Sequence, residues 1–107
     1  MRVAKAFVFV AGIFLFSHAA AAQEPPNIQR GRNLARTYCA RCHSIDKVSE
    51  SPLKIAPPFR NLQRSYPLES LEEPLAEGIV TGHPSMPEFR FDPDQIRDFI
   101  AFLKSLN

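Results

Sequence analysis

Three residues in this chain have the types and the spacing to hold a metal-containing cofactor: Cys39, Cys42 and His43. They stand at positions i, i+3 and i+4, so a helix that continued through them would present all three side chains on one face. Two thiols at this spacing can add to the two vinyl groups of a porphyrin, while the imidazole reaches the iron from the same side. The run Cys-Ala-Arg-Cys-His therefore predicts covalent attachment of one haem c.

Three other uses of the same residues are the alternatives to haem. A thioredoxin-like dithiol also has the Cys-x-x-Cys spacing, but it follows a strand in a βαβ unit, and this chain has no such pattern. A zinc site needs four ligands, and one more histidine downstream, His83, would complete the set. A disulfide would close a loop too short to constrain the unfolded chain strongly. We predict haem and keep the other chemistries open.

The first 22 residues resemble an export signal. A basic start precedes an apolar run over 6–16, and the small residues 20–22 fit an A-x-A cleavage site. Removal of residues 1–22 from the 107-residue chain would leave one small domain, 23–107. A retained anchor is the competing interpretation, because 3–22 is nearly long enough to span a bilayer. We favour cleavage, and we predict a periplasmic or otherwise exported protein with no membrane span after removal of the leader.

The charge balance argues against nucleic acid as a partner. The chain has 13 Lys and Arg against 11 Asp and Glu, and two of the basic residues, Arg2 and Lys5, lie in the leader. The remaining domain is balanced, with neither a basic run nor interleaved aromatic residues. A domain of this size buries only about 60% of its unfolded surface, so it usually needs a further source of stability. A large apolar cofactor would supply it.

The first half of the domain predicts one helix followed by a long loop. Asn27 can cap a helix over 28–40, whose apolar residues follow a helical period. Residues 44–58 are mostly polar or proline, which predicts an ordered loop that wraps around a bound group rather than around other parts of the chain. A short helical turn over 59–64 follows.

The second half predicts two more helices separated by a loop. Ser70 and Glu73 form a capping-box pattern for a helix over 71–77, and Gly78 ends it. Residues 81–90 contain two prolines and a glycine, which predicts a loop.

The last helix has the clearest signals. Asp92 can cap it with Gln95 in a capping box, and Phe91 can pack on Ile96 as a hydrophobic staple. A wide apolar face then continues to Leu106. With no strand-like alternation after the leader, the sequence predicts an all-α domain.

With these features the chain resembles the class I cytochrome c family. The resemblance implies a small, orthogonal arrangement of helices around one covalent haem. Gly31 lies eight residues before Cys39, as in that family, where a glycine lets the last helix cross the first closely. Glycine inside a helix costs about 1 kcal/mol against alanine, which independently indicates a close approach, with Phe99 and Phe102 as the expected neighbours. The family commonly has an aromatic residue where this chain has Ala35, so the packing there must differ.

The resemblance also implies the residues around the iron. The carbonyl of a loop proline accepts a hydrogen bond from the ligating imidazole in this family; Pro57 is our first choice and Pro58 the alternative. The sixth ligand is a methionine before the last helix, and Met86 has that place, with His83 as its rival. Arg60 and Tyr66 are candidates to meet the haem carboxylates.

The function implied is that of a single-electron carrier rather than an enzyme. With His43 and Met86 both bound, the iron has no open position for a substrate. The expected partners are a redox donor and acceptor such as a dehydrogenase or an oxidase. We expect the protein itself to be a monomer or to form a weak complex. An open-site haem protein that binds gases or peroxide, and an electron-transfer subunit of a larger oxidoreductase, are the alternatives.

Overall fold

Four α-helices and two short 3₁₀ segments form the regular structure of residues 2–18, 23–78 and 86–107, the residues that the computed structural model describes. The helices are α1 (Pro26–Tyr38), α2 (Leu62–Ser65), α3 (Glu72–Glu77) and α4 (Pro93–Lys104), and the 3₁₀ segments are Phe59–Asn61 and Leu68–Leu71. The described residues contain no strand, which confirms the all-α prediction.

The leader region is only partly described. Residues 2–18 are exposed and belong to no helix or strand, and in the described ranges no helix is long and apolar enough to cross a membrane. Residues 20–22, where we place the cleavage site, lie outside the described residues. The division of the chain after residue 22 therefore stays a prediction.

The beginning of α1 differs from the sequence prediction. The helix begins at Pro26, and Pro25 rather than Asn27 is its N-terminal cap. A proline in the first helical turn has its backbone already in a helical conformation and lacks only an N–H that would have no helical partner there. The Pro25 carbonyl then accepts from Gln29 N at 3.1 Å. Two prolines thus replace the expected polar side-chain cap.

Helix α1 crosses α4 at Gly31, which is buried. A Cβ atom at this position would lie 2.0 Å from Asp98 O and 2.6 Å from Phe102 Cβ, so only glycine allows this approach. The expected neighbour Phe102 is confirmed. Because Asp98 and Phe102 stand at i and i+4, they share the face of α4 that meets α1. The other expected neighbour, Phe99, packs its ring against Phe59 and Phe91 in the aromatic core.

The capping predictions had two different outcomes. At α4 the Asp92 side chain accepts from Gln95 N, the Gln95 side chain accepts from Asp92 N, and the capping box is confirmed. At α3 the capping box of Ser70 and Glu73 is wrong, because the cap is Leu71 and no side chain bonds there. The 3₁₀ segment before α3 already bends the chain into a helical path, so the helix continues from that turn.

The core lies between α4 and the chain that follows α1. The Phe99 ring packs edge-on against Phe59 and Phe91, at centroid distances of 5.9 and 5.7 Å. Phe102 and Leu103 are fully buried beside Ala35, which occupies the place of the family's aromatic residue with 0% exposure. Helix α4 therefore gives one face to α1 and another to the loop residues that carry the site.

Candidate functional site

The turn after α1 brings the two cysteines and the histidine together. Helix α1 ends at Tyr38, because Cys39 has a φ of −123° and leaves the helical conformation. Cys42 N and His43 N then both donate to Cys39 O, at 3.1 and 2.9 Å. A hydrogen-bonded turn, rather than a continuing helix, thus presents the three side chains.

These side chains line one cavity of about 370 Å³, a volume within the range of small-molecule sites. Pro57 and Met86, the first choices from the sequence for the two sides of the iron, line the same cavity. Much of the remaining lining is apolar: Tyr38, Leu53, Ile55, Pro87 and Phe89. Some of this surface is open to solvent, as Ile55 is 63% exposed. The cavity suits a large, mainly apolar ligand with a few anchoring groups.

The imidazole of His43 has a defined orientation. Its Nδ1 lies 2.8 Å from Pro57 O, and its ring centroid lies 4.8 Å from that of Phe59 in the core. The carbonyl of Pro58, the alternative acceptor, takes a bond from Asn61 N at 3.0 Å in the 3₁₀ turn. The structure therefore puts Pro57, not Pro58, at this histidine.

The two thiols have different environments. Both cysteines are free, Cys39 buried and Cys42 half-buried. Burial raises the pKa of the Cys39 thiol to about 12, so at neutral pH it is protonated. A redox nucleophile has to be a thiolate, so this environment argues against a dithiol redox site. His83, the remaining candidate zinc ligand, lies outside the described residues, among which no group of three His, Cys, Asp or Glu could hold a metal.

An aromatic cluster holds the segment that carries Met86. The Tyr38 ring lies 5.6 Å from Phe89 and 5.7 Å from Phe91, and Phe91 N donates to Leu75 O at 2.8 Å. Met86 itself is half-buried. The sequence reasoning missed Tyr38, although an aromatic residue directly before the first cysteine was a visible signal.

Arg60 and Tyr66 are not among the residues that line the cavity, so their expected contacts with haem carboxylates have no support here. Tyr66 lies at a separate cleft beside Lys104. The Arg60 guanidinium instead bonds to the loop that follows His43. Their closeness to Pro57 along the chain does not bring them to the cavity: the Arg60 side chain is directed to the loop after His43, and α2 lies between Pro57 and Tyr66.

Asp46 organises that same loop. Its carboxylate accepts from Val48 N at 2.8 Å, from Ser49 N at 2.6 Å and from the Ser49 hydroxyl. These bonds, that of the Ser49 side chain foremost, lower the pKa of Asp46 from 3.8 to about 2. A carboxyl whose pKa is lowered in the folded state stabilises that state at any pH above its pKa in the unfolded chain. This contribution is lost as the pH falls through the pKa of the folded state.

We expect Asp46→Asn to lower the midpoint of thermal unfolding at pH 7. The difference from the wild type should shrink as the pH falls from about 4 towards 2, where the wild-type carboxyl is itself protonated. Thermal unfolding followed by circular dichroism across this range tests the effect. Glu50→Gln, which neutralises an exposed carboxylate in the same loop, is the control. A difference that stays constant down to pH 2 would contradict the assignment.

Two comparisons with known proteins match the chain. The family model described as Cytochrome c matches residues 28–107. Cytochrome c-552 of Bradyrhizobium diazoefficiens is 30% identical over 76 residues, which are 71% of this chain and 71% of that protein. No solved structure matches the chain significantly.

Proposed function

The chain belongs to the cytochrome c family, and we propose that it is an exported single-electron carrier whose haem iron is ligated by His43 and Met86. Family membership makes the protein a carrier of covalent haem c that takes part in electron transfer. The ligand pair, the export and the role as a free carrier are our proposal. One observation carries it: both cysteines, His43 and Met86 line the same cavity.

The donor set of the cavity fits haem c. Cys39 and Cys42 would hold the group by two thioether bonds, and the apolar side chains of the cavity would cover its faces. When bound, haem c supplies an iron that alternates between the ferric and ferrous states and so carries one electron.

The protonation of His43 follows from its partner. The Pro57 carbonyl can only accept a hydrogen bond, so the Nδ1 atom, 2.8 Å away, carries the imidazole proton. The Nε2 lone pair is then free to ligate a metal. The bond also fixes the ring orientation and makes the imidazole a more basic ligand.

Met86 is the reason that we propose electron transfer rather than a reaction on a substrate bound to the iron. A thioether is a soft ligand that favours ferrous iron, and apolar surroundings disfavour the additional charge of ferric iron, so both raise the reduction potential. If His43 and Met86 both ligated the iron, no position would remain for a gas or peroxide.

Three features support export and a redox partner. The leader has the basic start and the apolar run of a signal peptide. The small charge-balanced domain after the leader suits transient complexes, and cytochrome c-552 is similar over most of its length. The proposed partners are a donor and an acceptor such as a dehydrogenase and an oxidase.

We expect Met86→Ala to open the sixth position of the haem iron. The reduced variant should bind carbon monoxide readily at neutral pH, and the reduction potential should fall on the order of 0.1 V, within the roughly 0.8 V that axial ligation covers. Carbon monoxide titration and redox titration measure the two effects. His83→Ala, which removes the rival ligand, should change neither. The reverse pattern would assign the ligand to His83, and ready binding of carbon monoxide by the wild type would favour an open-site haem protein.

A further inference from the structure

Arg60 connects two segments of chain that meet beside the cavity. It belongs to the 3₁₀ segment Phe59–Asn61, which follows the Pro57 loop. Its guanidinium reaches across to the loop 44–49 that follows His43. There Nη1 donates to three acceptors: Ser49 O at 2.6 Å, Ser44 Oγ at 3.3 Å and Asp46 O at 3.4 Å.

A backbone bond lies between this contact and the histidine. Phe59 N donates to Ser44 O at 2.9 Å, and Ser44, which is 4% exposed, donates from its own N–H to Ser51 Oγ at 3.0 Å. Ser44 directly follows His43, and Phe59 lies two residues after Pro57. The contacts of His43 with Pro57, of Ser44 with Phe59 and of the loop with Arg60 therefore follow one another along the same two segments.

The backbone of Arg60 is also fixed by a hydrogen bond. Asn107 Nδ2 donates to Arg60 O at 3.1 Å, which ties the 3₁₀ segment to the end of the chain after α4. The Arg60 backbone is thus supported by the core, and its guanidinium extends to the loop 44–49. In this loop Ile45 packs against the core, whereas residues 46–49 are exposed, so their position depends on polar contacts.

We propose that Arg60 is a positioning residue for His43. By holding the loop 44–49 against the 3₁₀ segment, it sets the hydrogen bond from His43 Nδ1 to Pro57 O and, through that bond, the basicity of the imidazole and the reduction potential. The inference rests on the proposed function, since it takes His43 as a ligand of the haem iron.

The sign of the change in reduction potential distinguishes two roles for Arg60: positioning His43, or only keeping water away from the cofactor. A more basic imidazole stabilises ferric iron, so a weaker bond to Pro57 raises the potential. If Arg60 only kept water out, its loss would expose the cofactor, stabilise the more highly charged ferric state and lower the potential. The two roles predict shifts in opposite directions.

The experiment uses the haem-loaded protein with Arg60→Met, Arg60→Lys and the control Arg64→Met. Arg64 is exposed in α2, and its replacement removes the same charge four residues away. Redox titration gives the potential, and nuclear magnetic resonance of the reduced protein gives the exchange rate of the His43 Nδ1 proton. We expect Arg60→Met to raise the potential and to speed this exchange about tenfold, which corresponds to about 1.4 kcal/mol. Arg64→Met should leave both unchanged.

Arg60→Lys keeps the charge, but the lysine side chain is one bond shorter and its ammonium falls short of the place of Nη1, the atom that makes all three bonds. Its exchange rate should therefore lie between those of the wild type and Arg60→Met. Equal rates in Arg60→Lys and the wild type would overturn the proposal even if Arg60→Met failed to fold. A lower potential in Arg60→Met, or a shift matched by Arg64→Met, would also overturn it. A wild type that lacked histidine ligation would instead refute the proposed function, so the two failures are distinguishable.

Discussion

We expect the double variant Cys39→Ala, Cys42→Ala to contain no covalently bound haem and to lose its cooperative thermal unfolding. Both thiols line the cavity, and no other cysteine in the sequence could form a thioether bond. The cavity is partly open to solvent, so without haem its apolar lining would stay exposed to water. A domain of this size buries only about 60% of its unfolded surface and needs a further source of stability, which the attached group would supply.

Intact mass spectrometry and a pyridine haemochrome spectrum of the purified variant measure the loss of haem, and circular dichroism measures the loss of unfolding cooperativity. Arg41→Ala is the matched control, because Arg41 lies between the two cysteines and lines the cavity but has no thiol. It should keep the haem mass of the wild type. A double variant that retained a covalent haem would contradict the attachment site, and a wild type without one would contradict the function itself.

Gly31→Ala should produce the second large effect, a net loss of stability at a position where alanine would ordinarily stabilise. Alanine in place of glycine gains about 1 kcal/mol in a helix interior. At Gly31, however, the new methyl group would lie 2.0 Å from Asp98 O and 2.6 Å from Phe102 Cβ. The first is a backbone atom of a packed helix, so relief requires α1 and α4 to separate. Overpacking of this kind costs about 1–3 kcal/mol or more.

The expected result is a fall on the order of 10 °C in the midpoint of thermal unfolding of the haem-loaded protein. Asn33→Ala, at an exposed position of the same helix, is the control for helix propensity and should be neutral or slightly stabilising. Gly31→Val should cost more than Gly31→Ala, because a larger side chain forces a wider separation. A Gly31→Ala variant as stable as the wild type would show that the helices do not cross this closely.

Local signals in the sequence were sufficient to predict most of the helices. The capping box of Asp92 and Gln95 is a short-range pattern that its own side chains satisfy, and it is confirmed at α4. A similar pattern at Ser70 and Glu73 is wrong, because the preceding 3₁₀ segment brought the chain into α3 already turned. A helix that continues from a preceding 3₁₀ turn therefore needs no side-chain cap, even where the sequence offers one.

The attachment site of Cys39, Cys42 and His43 could be read from the sequence alone, because the attachment of haem c needs particular atoms at a fixed spacing. That spacing, together with Gly31, was enough to indicate the cytochrome c family. It was not enough to find the acceptor of the His43 hydrogen bond, since Pro57 and Pro58 are adjacent and chemically alike. The turn of the loop decided it, by directing Pro57 O to His43 and Pro58 O to Asn61.

The tertiary structure alone also decided how the site is supported. Arg60 bonds the loop after His43, and Tyr38 packs on Phe89 and Phe91 from a distant part of the chain. These contacts join residues far apart in sequence, and their side-chain types are common enough to have many possible partners. The sequence by itself determined which atoms can bind the haem, because that chemistry depends on residue type and spacing. Only the folded chain determined what holds those atoms in place, because packing depends on where distant segments meet.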